Sequence, residues 1–276
     1  MNPANYSKIS FPFFGIEINP PKGFTLGPLD IRFYGVIIAL GLILAVVYGL
    51  KRKEQFGLTE DSLLNGVLMI VPIAIIFARA YYCIFSWEEF AHDPISVLYI
   101  WNGGIAIYGG VIGAVFGVWL YCKLAKLKLG AVLDITVLGF LIGQSIGRWG
   151  NFFNREAVGL LEEGSQWFLR MGLYNNLTGA YEYFHPTFLY ESLWNAVGFV
   201  ALHFLSKKRQ YDGQVTLMYL FWYGLGRAMI EGLRMDSLYI GPFRVSQLLA
   251  VLTCLTAAII LAINYAKTLT KPQEEA

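Results

Sequence analysis

Seven apolar runs recur along this chain, each near the length of a membrane-crossing helix, and nothing else in the sequence restricts the fold as strongly. They lie at about 33–50, 63–85, 105–122, 131–149, 188–205, 214–234 and 245–265. A hydrocarbon core about 30 Å thick is crossed by about 20 helical residues. The runs are continuous rather than alternating, which excludes a closed barrel, the other architecture that satisfies its own backbone hydrogen bonds in lipid. The sequence therefore predicts an all-α integral membrane protein with seven transmembrane helices. Residues 1–276 read as a single polytopic membrane domain, with 155–184 as an outer-face loop or small head. Composition agrees, with 56% hydrophobic and 14% charged residues, well away from the balance of a soluble domain. A net charge of +2 gives no reason to expect nucleic acid as a partner. Cys83, Cys122 and Cys254 show neither CxxC nor metal-ligand spacing and read as inert buried thiols. The first 30 residues lack the basic region, apolar core and small-residue site of a cleaved signal peptide.

Lys and Arg in short loops set the orientation. Lys51, Arg52 and Lys53 follow the first run, Lys123, Lys126 and Lys128 the third, Lys207, Lys208 and Arg209 the fifth, and Lys267 and Lys271 the seventh. The alternate segments are poorer in basic residues, so the N-terminus is expected outside and the C-terminus in the cytoplasm.

A charged side chain at the centre of a membrane helix costs about 2.5–3.5 kcal/mol on insertion scales, so the polar residues inside these runs need a reason. Gln144, Arg148 and Asn151 fall at i, i+4 and i+7 on one face of the fourth helix. Tyr223, Arg227, Glu231 and Arg234 make a stripe on the sixth, and Arg79 stands near the outer end of the second. Tyr34, Tyr108 and the group His185, Tyr190 and Glu191 open the three helices that run inward. Six helices thus turn polar at one outer level, which describes a cavity. Plainer readings exist for several of these residues. Arg79 and Arg234 suit snorkelling to the interface, Tyr34 and Tyr223 an aromatic belt, Arg227 with Glu231 a structural ion pair, and His185 the organisation of the turn before Pro186. Gly109, Gly113 and Gly117 form a small-xxx-small ridge for close helix packing.

Arginines facing a cavity in the outer leaflet suit a lipid-borne anion, since guanidinium stays charged and grips phosphate oxygens as a planar fork. HExxH, GxSxG and His/Cys metal clusters are missing from the sequence, so neither a zinc protease nor a serine hydrolase of known pattern is supported, and neither metal nor cofactor is expected. A lipid-headgroup transferase fits better. The alternative is an outer-leaflet anionic-lipid or anion transporter or binding protein, although transporter sites sit near the midplane between related halves.

Five stretches carry a family likeness. "GRWGNFFNREAVG" at 147–159 resembles the signature of bacterial phosphatidylglycerol–prolipoprotein diacylglyceryl transferases. "IRFYG" at 31–35, "NGGIAIYGG" at 102–110, "HPTFLYE" at 185–191 and "YGLGRAMIEGLR" at 223–234 agree in order and extend the likeness over nearly the full chain. The resemblance implies seven helices with an outer N-terminus in the bacterial inner, cytoplasmic membrane, and an active site towards the outer leaflet. It implies transfer of the diacylglyceryl group of phosphatidylglycerol to the lipobox cysteine of a prolipoprotein signal peptide, the first step of lipoprotein maturation. The thioether forms as glycerol 1-phosphate leaves.

On this resemblance Arg148 binds the phosphate, and Arg227 shares the charge of the leaving group with Glu231 positioning it. Asn151, Asn154 and Glu156 orient the headgroup glycerol or support the arginines, while Tyr34 and Tyr223 line the cavity. Arg234, His185 and Glu191 complete the expected lipid site. Some members have histidine as a proposed base in an "HGG" motif where this chain has Tyr108 in "YGG". Phenol, with a reference pKa of about 10, is a poor base at neutral pH. Tyr108 is then a hydrogen-bond partner, or Glu231 or Glu156 takes the thiol proton, or the arginine field lowers the thiol pKa directly. The last needs no additional residue.

Overall fold

The computed structural model describes residues 2–27, 29–162, 164–235 and 237–270; Lys271 of the expected cytoplasmic tail lies outside them. Among the described residues the chain is mostly helical, with short strands confined to the segments between and before the helices. In order these are β1 (Tyr6–Phe11), β2 (Ile16–Ile18), β3 (Gly23–Leu26), β4 (Leu29–Arg32), α1 (Phe33–Arg52), α2 (Glu60–Phe85), α3 (Ile107–Ala125), α4 (Leu129–Asn154), β5 (Met171–Asn175), β6 (Ala180–Phe184), α5 (Thr187–Leu205), α6 (Gln214–Glu231), β7 (Tyr239–Ile240), β8 (Phe243–Arg244) and α7 (Val245–Thr270).

Among the described residues six helices, α1 to α5 and α7, are long and apolar enough to cross a membrane. α6 forms as well, but Arg227 and Glu231 lower its hydropathy and it is not one of the six. Large apolar side chains such as Ile43, Leu68, Ile76 and Ile259 are exposed along these helices, which suits lipid contact and would be untenable in water. The chain is an integral, multi-pass membrane protein.

Contacts gather into two compact units. One holds the described residues of Met1–Ala45, Val137–Gln210 and Gln214–Ala276; the other holds Val46–Thr136 and Tyr211–Gly213. In the second, α2 starts with a capping box. Thr59 and Ser62 each accept from the other's backbone N–H, at 3.2 and 3.0 Å, which satisfies two of the orphan donors of the first turn. The glycine ridge of α3 packs on α2: a Cβ on Gly109 would stand 2.4 Å from the Phe77 carbonyl, and one on Gly113 2.5 Å from Phe77 Cβ. Arg79 does not snorkel. It is buried, and donates to the carbonyls of Ser96, Val97, Gly103 and Gly104 at 2.7–2.8 Å.

In the first unit, β1, β2, β5 and β6 form an antiparallel sheet in the order β2-β1-β5-β6. Within 155–184 the strands Met171–Asn175 and Ala180–Phe184 form a hairpin whose first strand pairs with β1, and the all-α expectation is corrected to mostly helical. Tyr6, Ile9, Met171, Leu173 and Phe184 of the sheet bury themselves against Phe152 of α4 and Phe188 of α5. Those two aromatic residues flank the polar residues of both helices, so the sheet core and the polar cluster share a support.

Candidate active site

The sixth helix ends at Glu231, not at residue 234. Gly232 and Leu233 turn, and Arg234 forms an isolated bridge with Gly159. Gly159 also bridges His185, donating to its carbonyl at 2.9 Å and accepting from its N–H at 3.0 Å. A Cβ at Gly159 would stand 2.9 Å from the Leu233 carbonyl and 3.0 Å from His185 Cβ. The close of the "GRWGNFFNREAVG" segment therefore needs glycine to draw the turns before α5 and after α6 together.

Two reciprocal locks fix the helices that carry the cluster. Ser145 and Ser192 each donate a hydroxyl to the other's carbonyl, at 2.9 and 2.7 Å, joining α4 to α5. Trp194 and Trp222 stack at 4.4 Å, and each indole N–H donates to the other's carbonyl at 3.0 Å, joining α5 to α6. Gly198 and Gly226 give them room, since a Cβ at either would fall 2.1–2.3 Å from an indole nitrogen. Both locks sit within about one helical turn of Glu191 on α5.

Between the locked helices three guanidinium groups meet two carboxylates. Glu191 accepts from Arg148 Nη2 on one oxygen and from Arg227 Nη1 on the other at 3.0 Å, with Arg234 Nη1 at 3.9 Å. Glu231 Oε2 stands 2.6 Å from Arg227 Nη2 and 3.8 Å from Arg234 Nε, as ion pairs outside hydrogen-bond angles. The carboxylate side chains are 2% exposed and the arginines 10–21%. The negative partners are sealed while the cations retain an open edge. On the α4 side, Arg148 Nη1 reaches Asn151 Oδ1 at 3.4 Å, and the amides of Asn151 and Asn154 both donate to Glu156 Oε1, at 3.0 and 3.1 Å.

Eight of the residues expected from sequence thus join one network: Arg148, Asn151, Asn154, Glu156, Glu191, Arg227, Glu231 and Arg234. Others stand around it. Tyr34 packs on Gly150, where a Cβ would come within 2.5 Å of its ring. Tyr223 stacks on Tyr219 at 5.6 Å, and the Tyr219 hydroxyl donates to Gln144 at 3.3 Å. His185 pairs with Tyr190 instead: the Trp167 indole N–H donates to the Tyr190 hydroxyl at 2.8 Å, and that hydroxyl shares a hydrogen bond with His185 Nδ1 at 3.1 Å. Burial pushes His185 below the usual imidazole range. Tyr108 belongs to the other unit, half-exposed beside Tyr81 at 6.5 Å.

Arg244 and Gln247, which sequence reasoning did not single out, hold the end of α6. Gln247 donates to the Ala228 carbonyl at 2.9 Å, and Arg244 donates to the carbonyls of Glu231 and Arg234. They satisfy carbonyls that the last helical turn leaves orphaned, and a cation there complements the helix dipole. The available signal was an arginine just before the seventh apolar run and a glutamine just inside it.

Chemically, the edges that the arginines leave open are groups able to bind an anion. With Glu156 joined to it through Asn151, the network holds three arginines and three carboxylates and carries no net formal charge.

A model of the prolipoprotein diacylglyceryl transferase family matches residues 21–263. A phosphatidylglycerol–prolipoprotein diacylglyceryl transferase of Bacillus licheniformis is 42% identical over 253 residues, covering 90% of this chain and 93% of that protein. Proteins of the same name from Halalkalibacterium halodurans and Bacillus cereus are 41% and 43% identical over 247 and 232 residues; these spans cover 85% and 82% of this chain, and 83% and 85% of theirs. With the match running from before α1 almost to the end of α7, the chain belongs to the prolipoprotein diacylglyceryl transferase family.

Proposed function

We propose that the protein transfers the diacylglyceryl group of phosphatidylglycerol to the lipobox cysteine of a prolipoprotein, forming a thioether and releasing glycerol 1-phosphate. The observation that carries this reading is the convergence of Arg148, Arg227 and Arg234 on Glu191 and Glu231, in a chain of this family. The protein crosses the bacterial inner membrane seven times, α6 being the seventh span, with its N-terminus outside and its C-terminus in the cytoplasm. The Lys and Arg residues after α1, α3 and α5 support that direction. The site then faces the outer leaflet, where both substrates are anchored by their apolar parts.

The reaction is a displacement at an sp3 carbon with sulfur entering and a phosphate ester leaving. Arg148 binds the phosphate as a fork, exchanging its bond to Glu191 for bonds to phosphate oxygens, and Arg227 does the same from α6. Because charge on the departing phosphate grows in the transition state, guanidinium groups already fixed in place stabilise it more than the ground state. Glu191 and Glu231 hold the arginines in register before the lipid arrives. Two arginines left facing each other without them would repel. Asn151, Asn154 and Glu156 bind the glycerol hydroxyls of the headgroup, and Tyr34 and Tyr223 form the walls. A free thiol with a pKa near 8.5 is only a few per cent ionised at neutral pH. The positive field of the arginines shifts that balance towards thiolate without a further residue.

Purified protein in lipid nanodiscs with phosphatidylglycerol and a lipobox peptide tests this directly. The expected result is a peptide carrying one diacylglyceryl group in thioether linkage, with an equal amount of glycerol 1-phosphate. Phosphatidylglycerol binding without either product would favour the anionic-lipid carrier instead.

A further inference from the structure

Arg155 is the one strongly buried arginine of the first unit that the arginine–carboxylate cluster does not use. It is 3% exposed, and its acceptors are neutral: the carbonyls of Ser7, Phe153 and Pro20 and the side-chain oxygen of Asn19. Burying a cation on carbonyls alone is expensive, and Lys22 adds a second positive charge nearby. Such a group persists where its geometry is needed.

Its position shows what that geometry does. Arg155 and Ala157 both have positive φ, 58° and 55°, a conformation in which residues other than glycine are uncommon. In this turn the side chains flanking Arg155 go to the cluster, the Asn154 amide donating to Glu156 Oε1 at 3.1 Å. The Arg155 side chain goes instead to the N-terminal segment, 135–148 residues away in sequence. The acceptor on β1 is prepared for it. The register of β1 against β5 shifts between Tyr6 and Ile9, a bulge that breaks the regular ladder where the Ser7 carbonyl meets Arg155 Nε. Bulges of this kind occur next to functional sites, where they re-aim a group.

We infer that Arg155 is a positioning residue: by clamping Ser7, Asn19 and Pro20 it fixes the turn that presents Asn154 and Glu156 to the lipid headgroup, making the N-terminal segment before α1 a working part of the site. This inference rests on the transferase reading above. Tyr34 and Phe33, at the end of the same segment, pack on Gly150 and on the Phe153 ring at 5.0 Å. The clamp therefore acts on a surface that α4 already shares with the N-terminus.

The test compares wild type, Arg155→Gly and Asn19→Ala in the nanodisc assay, with rates expressed per folded molecule. Glycine accepts the positive φ without strain, so Arg155→Gly removes the clamp and leaves the turn allowed. The expected result is a KM for phosphatidylglycerol raised about tenfold with kcat within about threefold, the signature of lost substrate binding. Asn19→Ala, on the exposed side of the clamp, should raise KM in the same direction by about twofold. An arginine serving stability alone would lower the unfolding temperature and leave KM unchanged in both variants, and that result overturns the inference. If Arg155→Gly does not accumulate, Asn19→Ala decides by itself: a raised KM supports the clamp and an unchanged one removes it. A wild-type protein that forms no thioether sinks the transferase reading. The clamp is then read from the thermal shift induced by phosphatidylglycerol, which should be smaller in the variants and which, if equal to wild type, overturns the inference too.

Discussion

Arg79 of the second unit and the three clustered arginines of the first are held in opposite ways. Arg79 donates to four backbone carbonyls of the 96–104 segment, and the fit is tight enough that a Cβ on Gly104 would come within 2.4 Å of its Nη1. Arg148, Arg227 and Arg234 are held by the carboxylates of Glu191 and Glu231. A carbonyl of the main chain cannot leave without unfolding its loop, so a guanidinium bound that way is a structural tie. A carboxylate is a stand-in for another anion of similar shape, and a guanidinium bound that way can exchange partners without losing its charge balance. The type of acceptor, more than burial, separates a tie from a binding group.

The widest separation between the two arrangements is expected from Arg148→Ala. It leaves Glu191 short of a partner and removes the phosphate fork, and kcat/KM should fall about 10^3-fold, the scale of breaking a buried ion pair at a reacting centre. Thermal unfolding of the same sample checks that the protein remains folded; retention of a tenth of the activity would erase the distinction drawn here. Arg79→Ala should do the reverse. Four carbonyls lose a charged donor, and stability should drop by about 3 kcal/mol, while turnover per folded molecule stays within about fivefold of wild type. A well-folded Arg79→Ala protein without turnover would move Arg79 to the catalytic side.

Tyr108→Phe sharpens the question of the thiol proton. With the arginine field supplying the activation, activity should remain within about threefold of wild type, because a phenol contributes little as a base near neutral pH. Loss of nearly all turnover would require the hydroxyl. The smallest effect is expected at His185, which burial holds below the usual imidazole range. Neutral His185 adds stability that is fully present above its unfolded pKa and is lost as pH falls from about 6.5 towards its lower folded value. Wild type should therefore lose stability more steeply than His185→Gln below about pH 6.5, and parallel unfolding curves would show that His185 titrates no differently when folded.

The helices were readable because each is written in one continuous stretch. The run at 131–149 already placed Gln144, Arg148 and Asn151 on one face, and Arg227 with Glu231 stands at i, i+4 as its spacing indicated. Arg234 was misplaced on that stripe because the end of α6 is set by a bridge to Gly159, far away in sequence. The sheet was missed for the same reason. "MGLYNNLTGAYEYF" carries a hairpin signal of alternating residues around Gly179 at φ 69°, but the pairing of β5 with β1 joins residues more than 160 positions apart. Glu191 was grouped with the cavity residues, yet nothing in "HPTFLYE" marks it as the carboxylate on which three arginines meet.

By itself the sequence determined the solvent this protein folds in, where along the chain its helices lie, and the faces on which charge must be buried. Those properties are local: hydropathy and the helical repeat act over neighbouring residues, and the cost of placing charge in lipid forces polar side chains towards one another. The tertiary structure decided which arginine meets which carboxylate, that Arg79 is tied to carbonyls while Arg148 is not, and that a strand from the N-terminus reaches the turn after α4. Each of these depends on how helices and strands distant in sequence come into register, which here is set by the Ser145–Ser192 and Trp194–Trp222 locks and by the one bare backbone at Gly159.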